Sequence, residues 1–212
     1  MKVGKQTAYF LILGSILGIL GWLAVMPLIG GMEGDTDQEM IAGITEDYDM
    51  ATIFMPMLLI AFTALILGWR TVANSLGENS IWINSANLLL LVSIGAYAAS
   101  MGLMLGSGSS GSPDLFDETV ALALWHGGEA IDLISGVFLF LGLAIIGIVS
   151  LKKTSGDKIL QILSAILVIG SVIGTANYLI SGRAESDFEI IPYLCLLVVS
   201  VGIGIKSLLT NE

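Results

Sequence analysis

The apolar residues of this chain are gathered into six long runs, and nearly all charged residues lie between the runs. A helix needs about 20 apolar residues to cross a hydrocarbon core of about 30 Å. Continuous apolar runs also favour helices over the alternating strands of a membrane barrel. The pattern predicts an all-α polytopic membrane protein, a bundle of six transmembrane helices that forms one membrane domain over residues 1–212. The predicted spans cover residues 8–30, 51–69, 81–105, 119–151, 159–180 and 190–205.

The composition supports this assignment. Charged residues make up 12% of the chain and hydrophobic residues 55%, whereas soluble domains carry about 25% charged residues. We therefore expect the lipid bilayer of the cell (plasma) membrane to be the main partner. The single Cys195 excludes a disulfide within the chain. The absence of a basic patch argues against a nucleic-acid partner.

The first long loop, residues 31–49, is strongly acidic. Within it, Thr36-x-x-Glu39 fits a capping box. This box predicts a short helix at the membrane surface, with Met40, Ile41 and Ile44 on one face. We interpret the rest as a solvated acidic loop in preference to a cation site. Its acids are Glu33, Asp35, Asp37, Glu39, Glu46, Asp47 and Asp49.

Three further irregularities interrupt the spans. Pro56 lies early in the second span, where it can kink the first turns. The tract Gly106–Pro113 reads as a flexible tether. The fourth segment is too long for one simple crossing. It either continues as one helix or breaks at Gly127-Gly128, leaving a separate surface helix before it.

The positive-inside rule predicts the orientation. With both termini cytoplasmic, only Arg183 lies outside, and the acids collect on the outer face. Trp22 and Trp125 then fall near the outer boundary and Trp69 and Trp82 near the inner one, as in an aromatic belt. Seven of the eight basic residues lie inside: Lys2, Lys5, Arg70, Lys152, Lys153, Lys158 and Lys206.

Two spans carry glycines four residues apart, a spacing that lets neighbouring helices approach closely. They are Gly14/Gly18 in the first span and Gly170/Gly174 in the fifth. These faces predict contact surfaces for a homo- or hetero-oligomer.

The candidate chemistry lies at the start of the fourth span. His126, Glu129 and Asp132 follow one another at i, i+3 spacing, so one helix presents an imidazole and two carboxylates in one direction. Acids at membrane depth are costly, and they tend to be partnered and functional. Groups at a similar depth on the third and fifth spans are Tyr97, Ser100, Asn177 and Tyr178.

Four interpretations of this cluster stay open. It can hold neighbouring spans together, relay protons or cations, or bind a divalent metal ion through His126, Glu129 and Asp132. A metal ion would need a further ligand such as Asp47 or Asp49, because i, i+3, i+6 residues rarely reach one ion. In the fourth interpretation the chain is a non-catalytic subunit of a larger membrane complex. No hydrolase or nucleotide-binding motif is present, so we assign no catalytic residue and predict no cofactor, with a divalent cation as the alternative.

Three short stretches carry a resemblance: His126-Gly127, residues 138–143 (FLFLGL), and Gly174 to Tyr178. With the long first loop, they resemble a group of uncharacterised six-pass prokaryotic integral membrane proteins. The resemblance covers most of the chain and implies the six-helix fold. It implies no activity, and Glu129 and Asp132 are not part of the shared pattern.

The sequence thus favours a small membrane protein that acts as a transporter or channel, with a cation- or proton-linked polar site in its outer half. The alternative is a structural or accessory subunit of a membrane complex. The candidate site residues are His126, Glu129, Asp132, Asn177 and Tyr97.

Overall fold

The computed structural model describes residues 4–28, 36–77, 80–110, 117–154, 156–181 and 190–210. This part of the chain is helical and contains no strand. Six of its helices are long and apolar enough to cross a membrane, which confirms the predicted fold class. In chain order the elements are α1 (Lys5–Ser15), a π-helical turn (Ile16–Leu20), α2 (Gly21–Leu28), α3 (Asp37–Glu46), α4 (Tyr48–Gly77), α5 (Ile81–Ser110), α6 (Glu118–Lys153), α7 (Lys158–Ser181) and α8 (Ile190–Thr210).

Several helices extend beyond the predicted apolar runs. The second span continues to Gly77, the third to Ser110 and the sixth to Thr210. The prediction of a flexible tether is therefore wrong for residues 106–110, which belong to α5. Two serines of this part form hydrogen bonds within the helix: the Ser107 hydroxyl donates to the carbonyl of Met104 at 2.6 Å, and the Ser109 hydroxyl donates to the carbonyl of Gly106 at 2.9 Å. Residues 29–30 and 111–113 lie outside the described part.

The six spans form a closed ring in which chain neighbours are also neighbours in space. The segment α1–α2 packs on α4, and each later span packs on the next through α8. The ring closes because α8 also packs on α1. At this contact a Cβ on Gly204 would lie 2.6 Å from Ile12 and 3.0 Å from the carbonyl of Ala8. The two ends of the described chain therefore lie at the same end of the bundle.

The glycine pairs hold this ring together from within. A Cβ on Gly14 would lie 2.6 Å from the backbone nitrogen of Leu65 on α4. On α7, a Cβ on Gly170 would meet Cys195 at 2.5 Å, and one on Gly174 would meet Phe140 at 2.5 Å. Both glycine faces are thus filled inside the chain. An oligomer of this protein would have to use other surfaces.

Some hydrogen bonds between helices are buried inside the ring, while many apolar side chains lie on its outer surface. The Trp69 indole is 1% exposed and donates to the Ser200 hydroxyl at 3.0 Å, joining α4 to α8. Trp125 is 3% exposed, so neither tryptophan lies in a lipid-facing belt. Apolar side chains such as Ile60 and Ile180 face outward instead, at 70% and 85% exposure, as expected for contact with lipid.

At the end of the bundle away from α3, two lysines bind backbone or carboxylate oxygens. Lys153 donates to the carbonyl of Leu76, at the C-terminus of α4, where a positive charge complements the helix dipole. The ammonium of Lys206 pairs with Asp157, which also caps α7 by accepting the Leu160 N–H at 3.1 Å. The hydrogen bond from the Lys206 ammonium, and to a smaller extent the one from the Leu160 N–H, holds the pKa of the Asp157 carboxyl below its ordinary value.

Candidate functional site

Helix α6 runs without a break through Gly127 and Gly128. These glycines mark a close approach to α5. A Cβ on Gly128 would lie 3.0 Å from Met104 and 3.3 Å from the carbonyl of Ser100. Because the helix is continuous, His126, Glu129 and Asp132 keep their i, i+3 spacing along it. This agrees with the alternative in which the fourth segment is one helix.

The short helix α3 begins with the capping box predicted from the sequence. The Glu39 N–H donates to the Thr36 hydroxyl at 3.3 Å, and the Thr36 N–H donates to the Glu39 carboxylate at 3.0 Å. This cap makes Asp37 the first residue of α3. Ile41 and Ile44 follow Asp37 by four and seven residues, so all three share one face. That face packs on the bundle, where Ile41 is 5% exposed and Ile44 is fully buried.

Asp37 is the acid that joins His126. The Nε2 atom of His126 lies 3.6 Å from the Asp37 carboxylate, and its Nδ1 atom lies 3.3 Å from the Glu129 carboxylate. The imidazole is thus held between an acid of α3 and an acid of its own helix. It is half exposed, while both carboxylates are largely covered.

The sequence interpretation named Asp47 or Asp49 as the additional loop acid, and neither takes that position. Asp47 caps the C-terminus of α3, and Asp49 is exposed in the first turn of α4. The position of Asp37 could have been predicted from the sequence, because the capping box makes it the first residue of α3 and it shares a face of that helix with Ile41 and Ile44. Among the described residues, no group of three or more His, Cys, Asp or Glu side chains converges as metal ligands do.

Further into the bundle, the half-buried Asp132 connects the acids to α5. Asp132 follows Glu129 by one turn of α6 and lies between Gly128 and Ser135, which both contact α5, the helix that carries Tyr97. The Tyr97 ring packs edge-on against Phe62 with 5.0 Å between ring centroids. Its hydroxyl is enclosed and has no hydrogen-bond partner among the described residues. Helices α5 and α6 thereby bring together two carboxylates and a phenol.

Two more tyrosines continue this set on α7 and α8. The Tyr193 ring packs edge-on against Phe140 of α6 with 5.3 Å between ring centroids, and its hydroxyl lies 2.7 Å from the Tyr178 hydroxyl. Gly136 makes room for the Tyr178 ring, because a Cβ there would lie 2.3 Å from it. Asn177 is half-buried on α7 beside Tyr178. The sequence interpretation missed Tyr193, which follows Pro192 in the sixth span and carries no polar neighbour in sequence to mark it.

The described groups form a series from α3 to α8: Asp37, His126, Glu129, Asp132, Tyr97, Tyr193 and Tyr178. Carboxylates accept hydrogen bonds, while phenol and neutral imidazole both donate and accept. Proton transfer needs neighbours within hydrogen-bond distance, and in this series that distance is found between His126 and Glu129 at 3.3 Å and between Tyr178 and Tyr193 at 2.7 Å. Hydrogen bonds of the same kind can also simply hold helices together.

Comparison of the chain with protein-family models, curated proteins and solved structures finds no match in any of the three. The resemblance to six-pass prokaryotic membrane proteins therefore stays a prediction.

Proposed function

We propose that this protein is a proton-linked membrane transporter or channel, whose proton-binding groups are Glu129, Asp132 and Tyr97. The observation that carries the proposal is the position of Asp132 on α6, one turn from Gly128 and from Ser135, which contact α5 at Ser100 and Ser93 on either side of Tyr97. Ionisable residues within membrane spans are costly and mark ion or substrate pathways by default.

The arrangement of the donors favours a proton over a metal ion. His126, Glu129 and Asp132 follow one another along one face of α6, and the next groups in the series are phenols. A metal ion needs ligands that converge on one point. Proton transfer needs neighbours that can each gain and lose a proton in turn.

The orientation belongs to the same proposal. We place the α3 end outside the cell and both termini in the cytoplasm. The basic residues support this placement, since Lys153, Lys158 and Lys206 lie at the end of the bundle opposite α3. Protons would then enter from the acidic outer face, which raises the local cation concentration.

The test is proton flux into liposomes that contain the purified protein. A potassium diffusion potential drives protons inward, and a trapped pH-sensitive dye reports their arrival. Wild-type protein is expected to acidify the lumen, and Glu129→Gln and Asp132→Asn are each expected to lose most of this flux. Glu46→Gln and Asp49→Asn are matched controls, because these acids are exposed and lie outside the series.

Flux that survives in both Glu129→Gln and Asp132→Asn would overturn the proposal. A wild-type protein that folds, inserts and carries no protons would do the same. The accessory-subunit alternative would then account better for the buried hydrogen bonds, and co-purification of a membrane partner would test it.

A further inference from the structure

Arg70 carries a positive charge that no described residue neutralises. It directly follows the apolar run of α4 and lies about two turns before the end of that helix. Its guanidinium group is always protonated in proteins. The Nε atom is enclosed, and the side chain makes no hydrogen bond or ion pair with the described residues. Lys153 and Lys206, at the same end of the bundle, both bind oxygen atoms of the protein.

Two asparagines beside Arg70 form a polar site between α4 and α5. The Asn87 amide of α5 donates to the side-chain oxygen of Asn74 on α4 at 2.6 Å. Asn74 follows Arg70 by four residues, so the two side chains share one face of α4. The bond to Asn87 occupies the Asn74 oxygen and leaves the Asn74 amide nitrogen as a donor. Because the Asn87 oxygen is enclosed, the surface of this site presents the donors of Arg70 and Asn74.

The site lies on the outer surface of the ring, where lipid is expected. Helices α4 and α5 run antiparallel. One turn from the asparagine pair, Arg70 therefore lies level with Leu91 of α5. Leu91 and Leu67 of α4 are 43% and 41% exposed, as expected for contact with acyl chains. Trp82, near the start of α5, is 64% exposed, and tryptophans exposed in this way lie at the level of lipid headgroups.

The charges at this end of the bundle favour an anion. Asp157 is the acid among the described residues there, and it pairs with Lys206. Phosphate fits the site because guanidinium can donate two parallel hydrogen bonds to it. The basic residues described at this end are Lys5, Arg70, Lys152, Lys153, Lys158 and Lys206.

We propose that Arg70 and Asn74 bind the phosphate group of an anionic phospholipid in the leaflet at this end of the bundle. The guanidinium donates to two phosphate oxygens, and the Asn74 amide donates to a third. The acyl chains lie along the exposed side chains of Leu67 and Leu91. A lipid in this position covers the outer edge between α4 and α5. The proposal does not depend on proton transport.

Native mass spectrometry of the full-length protein in detergent tests the proposal by counting bound lipids. Wild type is expected to bind its first phosphatidylglycerol more tightly than phosphatidylcholine, whose headgroup also carries a positive charge. Arg70→Gln is expected to bind phosphatidylglycerol about fivefold more weakly, the loss expected for one basic residue beside anionic lipid.

Lys158→Gln is the matched control for the loss of charge. It removes one charge from an exposed residue at the same end, and the described part of α7 contacts neither α4 nor α5. It is expected to bind phosphatidylglycerol like wild type. An equal loss of affinity in Lys158→Gln and Arg70→Gln, or no loss in Arg70→Gln, would overturn the inference.

Two further variants keep the test valid if Arg70→Gln does not fold. Arg70→Lys keeps the charge but loses the paired donors, so its affinity is expected to lie between those of wild type and Arg70→Gln. Asn74→Ala removes the amide donor and is expected to weaken binding about two- to fivefold. Wild-type affinity in both variants would contradict the proposed contacts.

Two more arms identify the ligand and exclude a competing acid. Glycerol phosphate in solution has the phosphate without acyl chains and is not expected to displace the lipid. Binding of glycerol phosphate as tight as that of phosphatidylglycerol would overturn the assignment to a lipid. Glu78, which follows α4 in sequence, lies outside the described residues. Glu78→Gln is expected to bind like wild type, and a marked gain in affinity would make Glu78 the partner of Arg70 and overturn the inference.

Discussion

Substitution of Gly136 by alanine should destabilise the bundle through a single contact. A Cβ at this position would lie 2.3–2.6 Å from three atoms of the Tyr178 ring, closer than real contacts allow. Overpacking of this kind costs about 1–3 kcal/mol. Displacement of the ring would also break the bond between the Tyr178 and Tyr193 hydroxyls, for about 1 kcal/mol more. We expect a total loss of about 2–4 kcal/mol.

The matched control is Gly95→Ala, because a Cβ on Gly95 would meet nothing within 4 Å. Both variants gain the same helix propensity, up to about 1 kcal/mol, so this gain cancels when the two are compared. Unfolding by denaturant in detergent micelles, followed by tryptophan fluorescence, measures the difference. Tyr178→Phe separates the two contributions, since it removes only the hydroxyl and should cost about 1 kcal/mol.

A double-mutant cycle identifies the partner. Replacement of Tyr178 by alanine should cost less in the Gly136→Ala background than in wild type, with a coupling of about 1–3 kcal/mol. Additive effects would mean that Tyr178 is not the group that Gly136 accommodates. Equal stability of Gly136→Ala and Gly95→Ala would refute the packing of α6 against α7 described here.

Three further substitutions test other parts of the structure. Because Lys206 lowers the pKa of Asp157, their interaction stabilises the protein above the ordinary value of 3.8 and is lost as the pH falls through the lowered folded-state pKa. Asp157→Asn should therefore flatten the stability curve in this acid range. Ser200→Ala leaves the Trp69 indole N–H buried without its partner and should cost about 1–3 kcal/mol in the same unfolding assay. Thr36→Ala removes the cap of α3 and should weaken that helix by about 0.5–2 kcal/mol, seen as faster amide exchange.

Each of these expectations has a contradicting result. An Asp157→Asn curve that parallels wild type in acid would mean that the Lys206 pair does not act in the folded state. A Ser200→Ala protein as stable as wild type would mean that the Trp69 N–H finds another partner. Unchanged α3 exchange in Thr36→Ala would mean that packing alone holds the helix.

The architecture was predictable because long apolar runs and capping signals act locally. Six runs predicted six spans, and Thr36 with Glu39 predicted α3. The ends of the spans were less predictable, since a helix can project beyond the apolar run that defines it. Ser107 shows why: a serine that bonds its own helix backbone needs no loop, and hydropathy does not reveal this choice.

The candidate site was predictable where helical spacing or depth along the spans marked its residues. Spacing alone placed Glu129 and Asp132 on one face of α6, and depth along the spans suggested Tyr97. Asp37 and Tyr193 come from elements far away in the chain, and only the packing of α3 and α8 brings them close. Whether the fourth segment breaks at Gly127-Gly128 also could not be predicted from the sequence alone. Two glycines can end a helix or allow a neighbouring helix to pack closely, and here the packing of α5 shows that they do the second.

We propose that the cluster of Glu129, Asp132 and Tyr97 binds protons and does not bind a metal ion. Thermal unfolding of the detergent-purified protein tests it without any assumption about the direction of transport. Wild type, Asp132→Asn and the control Asp49→Asn are melted across pH and with a panel of divalent cations. A ligand of the folded state raises the melting temperature, and a group that binds protons differently in the folded and unfolded states changes the slope of stability with pH. We predict a pH profile that Asp132→Asn alters and Asp49→Asn does not, with no shift from any divalent cation. A shift with one cation that disappears in Asp132→Asn, or identical pH profiles in all three proteins, would contradict the proposal.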